Sequence, residues 1–122
     1  MIRVLLVDDQ LCVRIGLQMR LTLESDLVVV GQAATSREAV QQAERLQPDV
    51  VLMDVQLPDH DGISTAETLA RRAPRCAVVI LSLDDCSETR QRAQLAGVVA
   101  CISKQAYDLA LIAAIRAASQ PR

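Results

Sequence analysis

Five residues of this chain could together hold a divalent cation and a phosphate: Asp8, Asp9, Asp54, Ser82 and Lys104. Each stands where an aliphatic run stops. Ile2 to Val7 runs into Asp8-Asp9, Val50 to Met53 into Asp54, Ala77 to Leu81 into Ser82, and Val98 to Ile102 into Ser103-Lys104, while Leu27 to Val30 leads to the small pair Ala33-Ala34. If the runs are neighbouring strands, three carboxylates, a hydroxyl and an ammonium converge on one crevice. Two carboxylates about 5 Å apart repel by roughly 3 kcal/mol at an effective dielectric near 20, so packing three together is costly unless a cation joins them. Carboxylates, a backbone carbonyl and water suit Mg²⁺, which usually keeps waters that a phosphate can replace. Lys104 then supplies a mobile positive charge for a phosphate or carboxylate, and Ser82 a hydrogen-bond donor. Singly, each residue has a plainer reading. An aspartate after a strand commonly forms a turn, Asp9 could cap the following helix, Ser82 could be a loop serine and Lys104 a solvated charge. Their shared position at successive strand ends is what favours the site.

The elements that would bring them together are legible as a β-α repeat. The five runs are rich in Val, Ile and Leu and apolar on both faces, the pattern of strands in a parallel sheet covered by helices on each side. Between them, Leu11, Ile15, Met19 and Leu23 recur every fourth residue and predict a first helix with that apolar stripe. Ala39, Val40, Ala43 and Leu46 form a second stripe after the capping box Thr35-x-x-Glu38, and Gln47-Pro48 stops that helix. A third helix is predicted from about Ile63 to Arg72, ending before Pro74. A fourth runs from about Ser87 to Ala96, with Asp85-x-x-Glu88 at its start and Gly97 at its end, and a fifth from about Tyr107 to Ser119. Five such units imply an open, doubly wound α/β sheet with right-handed crossovers, in which ligands bind outside the carboxyl ends of the strands.

Length and composition agree with one domain and exclude other classes. The 122 residues are 51% hydrophobic and 23% charged, enough for an aliphatic core without staples. A formal charge of −2 and a single aromatic, Tyr107, argue against nucleic-acid binding by this chain, which lacks both a basic excess and stacking rings. No run has the roughly 18 apolar residues of a membrane span, and Met1-Ile2-Arg3 does not begin a signal peptide, so a cytoplasmic protein is expected. Cys12, Cys76, Cys86 and Cys101 form no C-x-x-C pair and share one histidine, His60, so they read as small hydrophobes and not as zinc ligands.

The motifs resemble the receiver domain of two-component response regulators over essentially the whole chain. Leu5-Leu6-Val7-Asp8-Asp9 is similar to that family's acidic pair. Pro48-Asp49-Val50-Val51-Leu52-Met53-Asp54 with Leu57-Pro58-Asp59-His60-Asp61-Gly62 is similar to its phosphoacceptor strand and loop. Ser82 and Lys104 fall at its Ser/Thr and Lys positions, and the details most resemble the NarL/LuxR subfamily, whose receiver precedes a helix-turn-helix domain. The resemblance implies a flavodoxin-like (βα)5 fold with strand order 2-1-3-4-5. It implies that Asp54 accepts a phosphoryl group from a sensor histidine kinase, with Asp9, Asp54 and the Gln56 carbonyl binding Mg²⁺ and Asp8 acting directly or through water. Lys104 would hold an oxygen of the carboxylate or phosphoryl group, and Ser82 would bond the phosphoryl oxygen. His60 would be an ordinary exposed loop residue.

The same resemblance implies a receiver over residues 1–118 and the start of a linker at 119–122, with a DNA-binding output domain beyond. It implies a homodimer through the fourth helix, fifth strand and fifth helix. The fifth helix, nearly apolar all round, fits such a face, or else is tiled with harmless alanines. Two departures stand out: Cys101 occupies the position of the usual switch aromatic, with Tyr107 three residues after Lys104, and Gln105 replaces a common proline, so a trans bond is expected there. By the same resemblance, Gln56 and Asp84, two residues after Asp54 and Ser82, would flank the phosphoryl site.

Three other readings compete. An aspartate-nucleophile phosphohydrolase typically carries a second aspartate two residues after the nucleophile, where this chain has Gln56. A flavodoxin-like electron carrier would need a hydroxyl- and glycine-rich loop in place of Asp8-Asp9 and aromatics around its flavin. A phosphorylation-independent docking module would not need the complete set of five polar residues. The favoured expectation is a phosphoacceptor switch and not an enzyme, with at most slow self-dephosphorylation.

Overall fold

The computed structural model describes residues 1–82, 87–104 and 109–120. Strands and helices alternate: β1 (Ile2–Val7), α1 (Leu11–Thr22), β2 (Leu27–Ala33), α2 (Ser36–Leu46), β3 (Val50–Asp54), α3 (Gly62–Arg72), β4 (Ala77–Ser82), α4 (Ser87–Leu95), β5 (Ala100–Ser103) and α5 (Leu109–Ala118). The strands form one parallel sheet in the order β2-β1-β3-β4-β5. This is the doubly wound, flavodoxin-like arrangement that the alternation and the resemblance imply.

The sheet is covered twice because its central strands are apolar on both sides. Leu5, Val7, Val51, Met53, Val78 and Ile80 point to one side, where α2 and α3 bury Ala39, Val40, Ala43, Ile63, Ala66 and Leu69. The alternate residues Val4, Leu6, Val50, Leu52, Val79 and Leu81 meet Leu17 and Leu21 of α1 and Leu111, Ile112 and Ile115 of α5 on the other. Helix ends follow local chemistry. Thr35 accepts the Glu38 N–H and the Glu38 carboxylate accepts the Ala34 N–H, while Gln47 closes α2 in the left-handed conformation at φ 47°. Gly97, at φ 88°, lets the Val98 N–H reach back to the Ala93 carbonyl at 3.0 Å and closes α4.

Several expectations change. β2 continues to Ala33, because an edge strand tolerates the half-buried Gly31 and Gln32. β5 starts only at Ala100, since Val98 belongs to the turn that closes α4. The first helix forms as predicted, but its stripe faces outward: Leu11, Ile15, Met19 and Leu23 are between 48% and 76% exposed. Leu17 and Leu21 lie two residues, about 200°, around the helix from Ile15 and Met19, and it is this opposite row that packs on the sheet. Cys12, on the same helix, is exposed and not a core hydrophobe, whereas Cys76 and Cys101 are half-buried. On α5 Ala110, Ala113 and Ala117 lie on the outer face, Ala118 is buried in the core, and Leu109 is its large exposed apolar residue. The expected roles of Asp84, Cys86, Gln105 and Tyr107, and the Asp85 end of the α4 capping box, lie outside the described residues. Among the described residues, no helix is long and apolar enough to cross a membrane.

Candidate functional site

Asp8, Asp9, Asp54, Ser82 and Lys104 meet at the carboxyl edge of the sheet, as the strand ends predict. Asp54 is the last residue of β3 and buried. Its Oδ1 accepts the Gln56 N–H at 3.2 Å, while Oδ2 faces the Lys104 ammonium at 3.0 Å. Lys104 follows β5, where its N–H donates to the Ser82 carbonyl at 2.7 Å, and its Nζ also lies 3.5 Å from Asp8 Oδ2. Ser82, buried, ends β4 in register with Ser103. One carboxylate oxygen from each of Asp8, Asp9 and Asp54 lies within 4.8 Å of the others. A pocket of about 340 Å³ opens over them, lined by Asp9, Gln10, Asp54, Gln56, Ser82 and Lys104.

Asp8 and Asp9 have different surroundings. Asp8 is 1% exposed, its Oδ1 accepts the Gln10 N–H at 2.9 Å, its N–H donates to the Ala33 carbonyl of β2 at 3.0 Å, and its carbonyl accepts from Arg14. Burial pushes its carboxyl above the ordinary value; the Gln10 N–H and Lys104 oppose this, and the neighbouring Asp54 adds to it. Asp9 is exposed to the pocket, and Gln10, not Asp9, stands at the N-cap of α1. The helix-cap reading of Asp9 therefore fails.

The loop after β3 is held in ways the sequence motif alone does not reveal. Both carboxylate oxygens of Asp59 accept backbone N–H groups at the start of α2, from Ser36 at 2.8 Å and Arg37 at 3.0 Å. Burial works against its ionisation, but these donors outweigh it and hold the carboxyl below its usual range. Asp61 caps α3 by accepting the Ser64 N–H at 2.7 Å. Gly62 packs so closely on the end of β3 that a Cβ there would lie 2.3 Å from the Asp54 carbonyl oxygen. Gly62→Ala is therefore expected to displace the acidic strand end and to cost about 1–3 kcal/mol, read as a lower denaturant midpoint. An unchanged midpoint would show that the loop yields freely. His60 sits exposed on this loop.

The donor set fits a hard cation. The cluster holds three carboxylates and one ammonium, which pairs with Asp8 and Asp54, leaving two negative charges that a divalent ion would balance, and every candidate ligand is oxygen.

A parallel sheet of this order, with acid, hydroxyl and ammonium gathered outside its strand ends, defines a doubly wound α/β protein, a class that binds ligands outside the carboxyl ends of its strands. The family model for the response regulator receiver domain matches residues 4–116, and the chain belongs to that family. It is 41% identical over 106 residues to protein-glutamate methylesterase/protein-glutamine glutaminase 2 of Methanospirillum hungatei, covering 85% of this chain and 30% of that protein. It is 37% identical over 119 residues to the transcriptional regulatory protein YxjL of Bacillus subtilis, covering 98% of this chain and 55% of that protein. The chain thus spans less than two thirds of either curated relative. The signal receiver domain of the response regulator NarL from Mycobacterium tuberculosis superposes with a TM-score of 0.93 at 25% identity, covering 99% of this chain and 98% of that one. Relatives of the NarL/LuxR type agree with the subfamily that the motif details resemble.

Proposed function

We propose that this receiver domain accepts a phosphoryl group on Asp54 from a sensor histidine kinase and thereby switches the state of a longer regulator. The observation that carries the reading is the Lys104 ammonium 3.0 Å from Asp54 Oδ2, beside an acidic trio within 4.8 Å. Asp8, Asp9, Asp54 and the Gln56 carbonyl would hold Mg²⁺. Bound there, Mg²⁺ supplies charge neutralisation for the oxygens of an incoming phosphoryl group. An Asp54 carboxylate oxygen attacks phosphorus, the P–N bond of the phosphohistidine breaks, and the imidazole leaves with the electron pair. Lys104 holds an oxygen of the new acyl phosphate and Ser82 donates to another. Phosphoryl transfer asks mainly for alignment and charge compensation, which these fixed groups provide. The chain is then a cytoplasmic phosphoacceptor, not an enzyme with turnover on a free metabolite. Residues 1–118 form the receiver and 119–122 begin a linker to a DNA-binding domain. Leu95, Val99 and Leu109, exposed on or beside α4, β5 and α5, suit a homodimer face.

The reading stands or falls on phosphoryl uptake by Asp54, followed by intact mass. A second measurement tests the kinase step. The outward row Leu11, Ile15 and Met19 starts beside Gln10 at the pocket rim and gives an apolar ridge where a phosphodonor protein must sit. Ile15→Glu with Met19→Glu should leave uptake from acetyl phosphate unchanged and lower transfer from the cognate kinase at least 10-fold, about the effect of burying unpaired charge in an interface. Equal losses with both donors would remove the ridge from kinase docking.

A further inference from the structure

Arg14 lies outside the pocket, yet it is bound to the turn that carries both acids. From the first turns of α1 its Nη1 donates to the Asp8 carbonyl at 2.5 Å, and its Nε donates to Gln32 Oε1 on β2 at 3.0 Å. Gln32 is itself oriented, because its Nε2 donates to Gln18 Oε1 one turn further along α1. A half-buried guanidinium is thus clamped between two elements by acceptors on different atoms of its planar fork.

We infer that Arg14 is a positioning residue that fixes the spacing of Asp8 and Asp9 by holding the peptide plane between them. A peptide unit is planar, so fixing the Asp8 carbonyl oxygen also fixes the Asp9 nitrogen and Cα. The two neighbouring units are held by other means: the Asp8 N–H by the Ala33 carbonyl, and the Gln10 N–H by Asp8 Oδ1. Arg14 supplies the side-chain clamp for the middle unit. Without it the plane can rotate about the Asp8 and Asp9 backbone bonds, and the exposed Asp9 carboxylate swings relative to the buried one. Among the described residues the guanidinium touches no carboxylate; it acts through backbone geometry.

This inference rests on the Mg²⁺-dependent phosphoacceptor reading and goes beyond it. The test is calorimetric titration with MgCl2 of the wild type, Arg14→Ala, Arg14→Lys and Gln32→Ala, with circular dichroism to establish folding. Arg14→Ala and Arg14→Lys should each weaken Mg²⁺ binding about 10-fold, the usual effect of losing a group that orients a metal ligand. Lysine fails because one ammonium cannot reproduce the two-point fork. Gln32→Ala should shift the affinity in the same direction by less, and all variants should fold. The phosphorylation rate by acetyl phosphate at saturating MgCl2 should fall in both Arg14 variants, which a purely structural role would not require. Wild-type Mg²⁺ affinity in folded Arg14→Lys and Gln32→Ala would overturn the inference even if Arg14→Ala failed to fold. Absence of Mg²⁺ binding and phosphoryl uptake in the wild type would instead overturn the phosphoacceptor reading itself.

Discussion

Incubated with acetyl phosphate and MgCl2, the chain is expected to gain the mass of one phosphoryl group, and Asp54→Ala to gain none. An Asp54 oxygen attacks phosphorus, forming an acyl phosphate as the P–O bond to acetate breaks and acetate leaves with the electron pair. The effect should be all-or-none because the neighbouring acids cannot substitute. Asp8 is 1% exposed and its Oδ1 is engaged by the Gln10 N–H. Asp9 is exposed but lacks the ammonium that sits 3.0 Å from Asp54. Lys104→Ala should retain the acceptor yet slow uptake by a factor of about 100, the order expected when one positioned charge-stabilising group is lost. An unchanged mass for the wild type would end the switch reading, and uptake by Asp54→Ala would place the acceptor elsewhere.

Magnesium should raise the melting temperature of the wild type, and Asp9→Asn should abolish most of that rise. At free Mg²⁺ of about 100 times Kd, linkage contributes about 2.7 kcal/mol. For a domain of this size each kcal/mol moves the midpoint by about 3–6 °C. In EDTA the order should reverse, with Asp9→Asn melting above the wild type, because one of three mutually repelling charges has gone. The pH dependence follows from Asp8. Its folded pKa is raised above the ordinary 3.8, so the stability it contributes when protonated is full below that value and disappears as pH rises through the folded one. The Asp8 contribution to metal-free stability should therefore decline across that interval, and Mg²⁺, by favouring the ionised form, should counter the decline. Equal Mg²⁺ shifts in wild type and Asp9→Asn would remove Asp9 from the metal site.

Much of the fold and the gathering of the site were legible in the sequence, because both rest on strand ends. A run such as Val50 to Met53 followed by Asp54 fixes strand, direction and the polar residue at its carboxyl end together. What escaped were features that depend on tertiary partners. A helix with apolar rows on opposite sides offers two core faces, and periodicity selected Ile15 and Met19 where the sheet buries Leu17 and Leu21. Asp59 reads as a loop acid until α2 brings its first N–H groups within 3.0 Å, 22 and 23 residues away along the chain. Arg14 gives no sequence signal beyond being a long cation early in the first helix. The turn into α1 brings it back to the Asp8 carbonyl six residues earlier, and the packing of α1 against β2 sets Gln32 against it.

The closing turn of α4 has a consequence for where the domain first comes apart. From Glu88 to Gly97 the buried side chains are those of Ala93 and Ala96, methyl groups only, and Leu95 is 90% exposed. Two methyls withdrawn from water contribute about 1.5–2 kcal/mol, and the Arg92–Asp61 pair at 3.6 Å is half-exposed and adds little. Helix α3, by contrast, drives Ile63, Ala66 and Leu69 into the core. In native-state hydrogen exchange the amides of α4 should therefore lose protection at a free-energy cost well below that of global unfolding. A single charge-assisted hydrogen bond, worth about 1.5–3 kcal/mol, is enough to repopulate its positions.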